Sequence, residues 1–490
     1  PNFKEYLNMP EFETITRLLE KGVAIHHSGI MPIFREMIEL LFAKGYVKLL
    51  FATETFAVGI NMPTKTVLFT GFDKFNGSSM RMLYPHEYTQ MAGRAGRRGL
   101  DTIGHVIHLN NMFKLPYGHD YEQMVNGNPQ TLQSKFSISY NLVLNFLQFN
   151  NNTLEFADKS MSNGEIQRSI QGVRDHISQL KNDLTTKETN PTYAYVTEHM
   201  DEFEKYIQMT EDVKTCKQKA RKQLERSMVE MEASSKQFKG QLEQYKSLLT
   251  MKSEIRQNEE YIDTLTGHFH NSFDNVVQFL QHYDYVKEEL CGEEDDSHVN
   301  KSKVVIQEKG GIATFIQETH CLAFTDFLIK EDYLKKYNSY EIAALLSCFA
   351  NIRVKEDKKI YNVSYLTTNT QLNESLQSMS SIYDGYMDEE LRSGISQANN
   401  LDYLFEFVNP ILEWCEAEDE KTCKDIMKKC EFEYETFPGE FIKAILKINN
   451  MVNEMKNVAE YMGNVELLHK LTAIPDLTLK FVATNQSLYV

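Results

Sequence analysis

The chain has 490 residues, 42% of them hydrophobic and 25% charged, the profile of a globular protein with room for about three domains. A net charge of −17 excludes a protein that coats nucleic acid through bulk electrostatics, so any polyanion site has to be local and shaped. No apolar run approaches the roughly 18 residues of a membrane span, and no secretory leader opens the chain.

The first residue is Pro1, which suggests a fragment or a chain whose beginning is not shown. Seven cysteines, Cys216, Cys291, Cys321, Cys348, Cys415, Cys423 and Cys430, are scattered without a C-x-x-C pair, so neither a zinc site nor a disulfide framework is expected. Reduced thiols fit an intracellular protein of the cytoplasm or nucleus that is not secreted. Charge is unevenly spread: through Asn110 there are 12 Lys and Arg against 10 Asp and Glu, leaving −19 for the rest.

The elements begin with "GVAIHH" as a strand, "PIFREMIELLFAKG" as a helix entered at Pro32 and closed at Gly45, and "VKLLFAT" as a second strand. "KTVLFTG", "HEYTQMAGRAG" and "GHVIHLN" continue the alternation. Apolar strands separated by helices imply a parallel sheet whose faces the helices cover. Ligands of such sheets gather at the carboxyl ends of strands, here "HHSG", "ATETFAVGINMP" and "TGFDKFNG". The fold class expected is α/β with a parallel sheet, followed by a mostly α remainder.

After Asn110, "PQTLQSKFSISYNLVLNFLQF" places Phe136, Tyr140, Leu144 and Leu147 at helical spacing in a small helical unit. Ile166, Ile170, Val173, Ile177, Leu180 and Leu184 then recur by fours and threes. A second run, Leu224, Met228, Met231, Phe238, Leu242, Tyr245 and Leu249, keeps that spacing with a polar break at Ser235. No proline lies between Pro191 and Pro410, so an antiparallel helical hairpin projecting as a stalk is expected. The acidic tract "KEELCGEEDDSH" reads as a loop, "KVVIQ" as a strand, and Gly310 with Gly311 as a turn. "YEIAALLSCFANI" and "LDYLFEFVNPILEWC" read as buried helix. The carboxylates of "MDEFE" and "MDEEL" read as solvated helix faces.

Chemistry concentrates in "QMAGRAGRRG", Gln90 to Gly99, with three arginines and three glycines in ten residues. Arg94 and Arg97, three apart, would share a face of a helix, and Gly93 and Gly96 clear the approach for a polyphosphate. Arginine supplies paired donors to phosphate oxygens and cannot lose its charge. A solvated basic turn paired with carboxylates is the alternative. Upstream, Ser28 of "HHSG" and Thr53 of "ATETFAVGINMP" end strands and offer hydroxyl and N–H donors to a phosphodiester backbone. His26 and His27 read as packed strand-end histidines, since no third metal ligand has the right spacing. Between these motifs, Asn76-Gly77 signals a tight hairpin flanked by aromatic and basic residues.

In order and separation, "HHSG", "LLFATETFAVGINMP" and "YTQMAGRAGRRGLD" resemble motifs IV, V and VI of superfamily two helicases, in the version of the superkiller-type DExH-box RNA helicases that serve the RNA exosome. "FSISYNLVLNFL", "EIAALLSCFA" and "SLYV" resemble that group's winged-helix and C-terminal helical domains. The resemblance implies an arginine finger at Arg97, with Arg94 and Gln90 lining the nucleotide site and Gly59, Asn61 and Gly93 beside ATP and its Mg2+. It places His27, Ser28, Gly29 and Thr53 along the nucleic acid. In the family a hairpin here sits near the point of strand separation, where Phe75 would stack on a base and Lys74 or Arg81 touch phosphate. No metal site is implied in the chain itself.

The departure is the phosphate cradle: G-x-x-x-x-G-K-[ST] is needed, and no glycine here is followed by lysine. The chain is therefore expected to be the C-terminal portion of such a helicase, without the first RecA-like domain and unable to hydrolyse ATP alone. The expected domains are a second RecA-like domain over 1–112, a winged helix over 113–162 resumed at 299–335 with a connector, a stalk over 163–298 and a helical bundle over 336–490. Expected partners are single-stranded or partly duplex RNA, the first RecA-like domain and an RNA-degrading or RNA-processing complex, with translocation from 3′ to 5′ implied by the family alone. The stalk's "KTCKQKARKQLER" would touch RNA or a partner, or be a solvated coiled-coil face. A DNA repair helicase of the same superfamily and a non-catalytic scaffold remain as rival readings.

Overall fold

The structure, a computed structural model, describes residues 4–53, 64–75, 79–97, 99, 101–113, 116–128, 132, 134–149, 151–290, 302–395 and 402–483. It forms two compact units, Pro1–Leu132 with Leu280–Val490, and Gln133–Phe279. No helix among the described residues is long and apolar enough to cross a membrane.

In the first unit, β1 (Val23–His26) pairs in parallel with β2 (Leu49–Ala52), Val23 opposite Leu49 and His26 opposite Ala52. The helix Pro32–Ala43 makes the crossover, with Pro32 pre-setting its first turn and Gly45, at φ 77°, turning the chain out of it. β3 (Thr66–Phe69) pairs in parallel with β6 (His105–His108), and the helix Pro85–Ala92 lies between them in the chain. Between β3 and that helix, β4 (Asp73–Phe75) and β5 (Met80–Met82) form an antiparallel hairpin, as the turn signal predicts; Asn76-Gly77 itself lies outside the described residues. The expected sheet is thus present as two parallel pairs among the described residues. Full covering of both faces does not hold: Phe51 is 54% and Leu68 45% exposed. A run of apolar residues fixes strand preference, while cover depends on where neighbouring elements land.

β7 (Val286–Leu290) and β8 (Ser302–Ile306) are antiparallel. The expected acidic loop does not hold over its first four residues: Lys287 to Leu290 are strand, because pairing opposite the Val304-Val305 stretch outweighs the local acidic composition, and 291–298 lie outside the described residues. Gly310 and Gly311 do not turn the chain; they lie inside the helix Glu308–Ala313, where a Cβ would strike the Tyr285 carbonyl and the Tyr461 hydroxyl. They serve close packing. "MDEEL" also needs correcting, since Glu390 in the helix Thr370–Arg392 is buried and its carboxylate lies 2.9 Å from His320 Nε2. An apolar surrounding with a specific partner displaced the solvated face expected from composition.

The C-terminal helices Ser339–Ser347, Val408–Glu416, Pro438–Tyr461 and Val465–Thr478 bury the expected apolar stretches around Trp414, whose Nε1 donates to the Thr478 carbonyl at 2.9 Å. Five cysteines, Cys321, Cys348, Cys415, Cys423 and Cys430, act there as small core residues with free thiols. The N-terminal residues join this core: Tyr6 Oη donates to the Val482 carbonyl at 3.1 Å. "SLYV" falls outside the described residues.

The second unit is helical. Tyr140–Gln148, entered at Ser139, buries Tyr140 and Leu144, whereas Phe136 precedes the helix and packs edge-on against Phe269. The helices Met161–Glu188 and Phe238–Thr266 pair, with Lys181 on Glu259 at 2.8 Å and Lys252 on Glu188 at 2.9 Å. Ascending one helix descends the other, so the expected antiparallel stalk is present. Its connection is itself helical, with Met200–Thr215 and Gln218–Ser234 closing on a core of Val196, Phe203, Phe238, Leu242, Tyr245 and Leu248. The Ser235 break ends a helix outright, and Leu248, rather than Leu249, takes the core position.

Candidate nucleotide and nucleic-acid site

The helix Pro85–Ala92 carries Gln90, exposed on its last turn. The Gly93 N–H bonds to the Thr89 carbonyl and the Arg94 N–H to that of Met91; the chain then leaves helical geometry, with Gly96 at φ 95°. Arg94 and Arg97 therefore do not share a helix face, a correction whose cause is the glycine-rich ending. They belong to a turn. Arg97 is exposed and gripped by Asp101: Nε donates to Oδ2 at 2.7 Å, Nη2 to Oδ1 at 2.9 Å, and the Arg97 backbone N–H to Oδ2 at 3.0 Å. These bonds, chiefly those of the guanidinium, hold the Asp101 carboxyl far below the usual carboxylate range. The reciprocal effect raises Arg97.

The turn is stitched to the stretch before β3. Thr64 N–H bonds to the Arg94 carbonyl at 2.9 Å, Gly96 N–H returns to the Thr64 carbonyl at 2.6 Å, and Thr64 bridges Ala95 in parallel. Thr64 directly follows the "GINMP" stretch in the chain. Gly59 and Asn61 lie outside the described residues. Thr53 is exposed at the end of β2, its N–H bonded to the His26 carbonyl at 3.2 Å.

The "HHSG" loop behaves differently. His26 is 3% exposed and shares a 2.8 Å contact with Glu39, the packed role expected of it. His27 Nδ1 accepts from the Gly29 N–H at 3.2 Å; burial first, then His26 and Arg35, lower its proton affinity against Glu440. The Gly29 carbonyl accepts from the Gly439 N–H at 3.1 Å, and Lys443 Nζ donates to the Ser28 carbonyl at 3.3 Å. The Phe437 ring lies edge-on to His27 at 6.0 Å. The loop is thus docked on the start of a C-terminal helix more than 400 residues away in sequence.

On the hairpin, Lys74 and Arg81 both engage Glu87, Arg81 bidentately at 2.7 and 2.8 Å and Lys74 at 2.9 Å. Led by Arg81, with the Tyr84 N–H and Lys74 adding to it, these bonds pull Glu87 down to about 2. Arg81 also lies 3.9 Å over the Tyr84 ring. Phe75 is a strand residue opposite Met80. Glu87, Asp101, Phe437 and Lys443 are not sequence candidates; only Asp101 carries a local signal, the i, i+4 spacing from Arg97. Among the described residues no group of three or more His, Cys, Asp or Glu could hold a metal.

Residues 2–99 match the helicase conserved C-terminal domain, and residues 303–483 match the DSHCT (NUC185) domain. This is the C-terminal module of a helicase joined to a second, mostly helical domain. Antiviral helicase SKI2 of Saccharomyces cerevisiae is 48% identical over 145 residues, 30% of this chain and 11% of that protein. Superkiller complex protein 2 of Homo sapiens is 50% identical over 140 residues, 29% and 11%. Exosome RNA helicase MTR4 of Homo sapiens is 45% identical over 166 residues, 34% and 16%. The chain is similar to these superkiller-type and exosome helicases over part of its length, and what it matches in the three is 11–16% of their own length.

Proposed function

We propose that the chain is the C-terminal portion of an ATP-dependent RNA helicase of RNA processing or decay, which moves 3′ to 5′ on one strand and unwinds duplexes. The observation that carries this reading is the Arg97 turn: an exposed guanidinium, pre-oriented by Asp101, in a turn joined by backbone to Thr64. The carboxylate occupies both donors much as a phosphate's oxygens would, so the turn fits a polyphosphate. Bound ATP with Mg2+ supplies the phosphoryl transfer, on a cradle provided by a separate first RecA-like domain. Arg97 then stabilises charge on the transferred group, Arg94 and Gln90 line the site, and Gly59, Asn61 and Gly93 leave room beside it.

His27, Ser28, Gly29 and Thr53 lie along the strand's phosphates, and the β4–β5 hairpin meets the duplex once Lys74 and Arg81 exchange Glu87 for phosphate. In this reading 1–112 is the second RecA-like domain, 113–162 with 299–335 the winged helix and its connector, 163–298 the stalk and 336–490 the bundle. The relatives' names, antiviral helicase, superkiller complex protein and exosome RNA helicase, support RNA and an RNA-degrading complex as partners.

The test is ATP turnover and strand separation by the polypeptide that joins this chain to its nucleotide cradle, on matched RNA and DNA duplexes. RNA-dependent turnover lost on Arg97→Ala supports the reading. Preference for DNA favours a repair helicase, and unchanged turnover removes Arg97 from the mechanism.

A further inference from the structure

His108, the last residue of β6, has a tyrosine hydroxyl on each ring nitrogen: Nδ1 lies 2.6 Å from Tyr121 Oη and Nε2 3.1 Å from Tyr88 Oη. The lengths assign the protons. A hydroxyl donor makes the shorter bond and a ring N–H the longer, so Tyr121 donates to Nδ1 and Nε2–H donates to Tyr88. The imidazole is neutral and held in one tautomer. Phe72 stands edge-on to it at 4.8 Å and Phe69 at 5.5 Å, and burial lowers its proton affinity from the ordinary 6.5. The titratable groups that face it are Tyr88 and Tyr121, while the β3 side presents the two phenylalanines.

Each tyrosine comes from a different helix. Tyr88 belongs to Pro85–Ala92, which runs directly into the turn of Arg94 and Arg97, and Tyr121 to Gly118–Asn126, which follows the helicase module in the chain. The two helices touch, since a Cβ on Gly127 would meet Pro85 Cγ at 2.7 Å. The β6 segment meets the first helix at both ends: His108 bonds to Tyr88, and a Cβ on Gly104, just before the strand, would meet the Ala95 oxygen at 2.4 Å. Contact at two points fixes the rotation of a helix about its own axis, and that rotation aims whatever follows it. An apolar ring at 108 would fill the same space; the imidazole adds direction, because each nitrogen bonds along one line.

We propose that Tyr88, His108 and Tyr121 are positioning residues: they set the rotation of the helix Pro85–Ala92, and with it the aim of Arg97, according to where the helix Gly118–Asn126 sits. This rests on the role proposed for Arg97 above. Protonating Nδ1 would turn the Tyr121 hydroxyl from donor to acceptor and leave a charge among phenyl rings, so the relay works with the ring neutral. Its contribution is complete above pH 6.5 and is lost as pH falls through the lower folded value.

Two measurements test it. In the 490-residue chain, hydrogen–deuterium exchange is followed over residues 89–97. His108→Phe, a ring of similar size without the two bonds, is expected to speed exchange there about tenfold and to leave the stalk helices unchanged. In the polypeptide that includes the nucleotide cradle, the same substitution is expected to lower kcat for ATP about tenfold, with KM and RNA affinity within about twofold. It is also expected to remove the acid fall of the wild-type kcat profile below pH 6.5. A mere core filler would cost stability but move neither the split between kcat and KM nor the profile. Unchanged exchange in folded His108→Phe overturns the relay, and so does a variant that keeps the wild-type kcat and acid limb. If exchange quickens but the wild-type polypeptide shows no RNA-dependent turnover, the relay is supported and the function proposed above fails. Should His108→Phe fold poorly, Tyr121→Phe, which leaves the buried Nδ1 without its donor, gives the same readings at about threefold.

Discussion

Two motif loops, "HHSG" and "QMAGRAGRRG", are held in different ways. The first is clasped by a distant helix: Gly29 is buried and bonded to Gly439, and Ser28 accepts from Lys443. The second is held within its own module, its backbone bonded to Thr64 and its exposed arginine kept in place by a carboxylate four residues on. A loop fixed by long-range contacts answers to the position of a whole domain, whereas one fixed locally stays ready wherever the domain moves. Under the function proposed above this would be a useful division, with a preorganised group for nucleotide and a loop for the strand whose hold depends on the C-terminal helices.

The largest expected effect tests the Arg97 loop. Arg97→Ala, in the polypeptide carrying the nucleotide cradle, is expected to lower ATP turnover about a thousandfold with RNA affinity within about twofold, measured by steady-state hydrolysis and anisotropy. Equal losses in both would mean the two loops are not functionally separate.

The next tests the clasped loop through stability. Gly439→Ala places a Cβ against backbone at 2.5 to 2.7 Å, and a loss of about 3 kcal/mol is expected in denaturant unfolding. Gly99→Ala, at φ 80° with open space around it, should lose only about 1 kcal/mol of backbone strain. Equal costs would erase the contrast.

A third concerns the same seam. A cavity of about 370 Å³ there is lined by Glu11, Glu431, His27 and Phe437. Burial, with Glu431 adding and the Met31 N–H opposing, raises Glu11 to about 7 from 4.5. The folded state keeps this proton to higher pH than the unfolded one, so stability falls as pH rises from about 4.5 to about 7. Glu11→Gln is expected to flatten that slope and to gain about 2 kcal/mol at pH 8, read from urea midpoints across pH.

The smallest effect has the opposite sign. Glu87, pulled to about 2 by Arg81, contributes stability that is present above about 4.5 and lost as pH falls toward 2. Part of the site is solvated, so Glu87→Gln should cost about 1 kcal/mol at pH 7 and nothing at pH 2.

Much of this was legible in the chain. Prolines at helix entries, glycines at exits and β-branched strands placed the crossovers of the α/β module, because these preferences act within a few residues. Turn chemistry announced the β4–β5 hairpin in the same way. The helical spacing of Ile170 and Ile177 announced the stalk, while its helical tip went unread because Ser235 looked like a polar break rather than an end. Gly310 and Gly311 were misread as a turn for a related reason: glycine records a need for space or for a positive φ, and sequence does not say which.

The motif residues, their charges and the glycines that bend the Arg97 turn were determined by sequence alone, since they depend on covalent chemistry and local dihedral freedom. Only the tertiary structure decided that Ser28 and Gly29 rest on Lys443 and Gly439, and that Glu390 is buried beside His320. Those pairings span tens to hundreds of residues. They exist because burying apolar helix faces brings distant segments together, and no local pattern encodes which polar groups then meet.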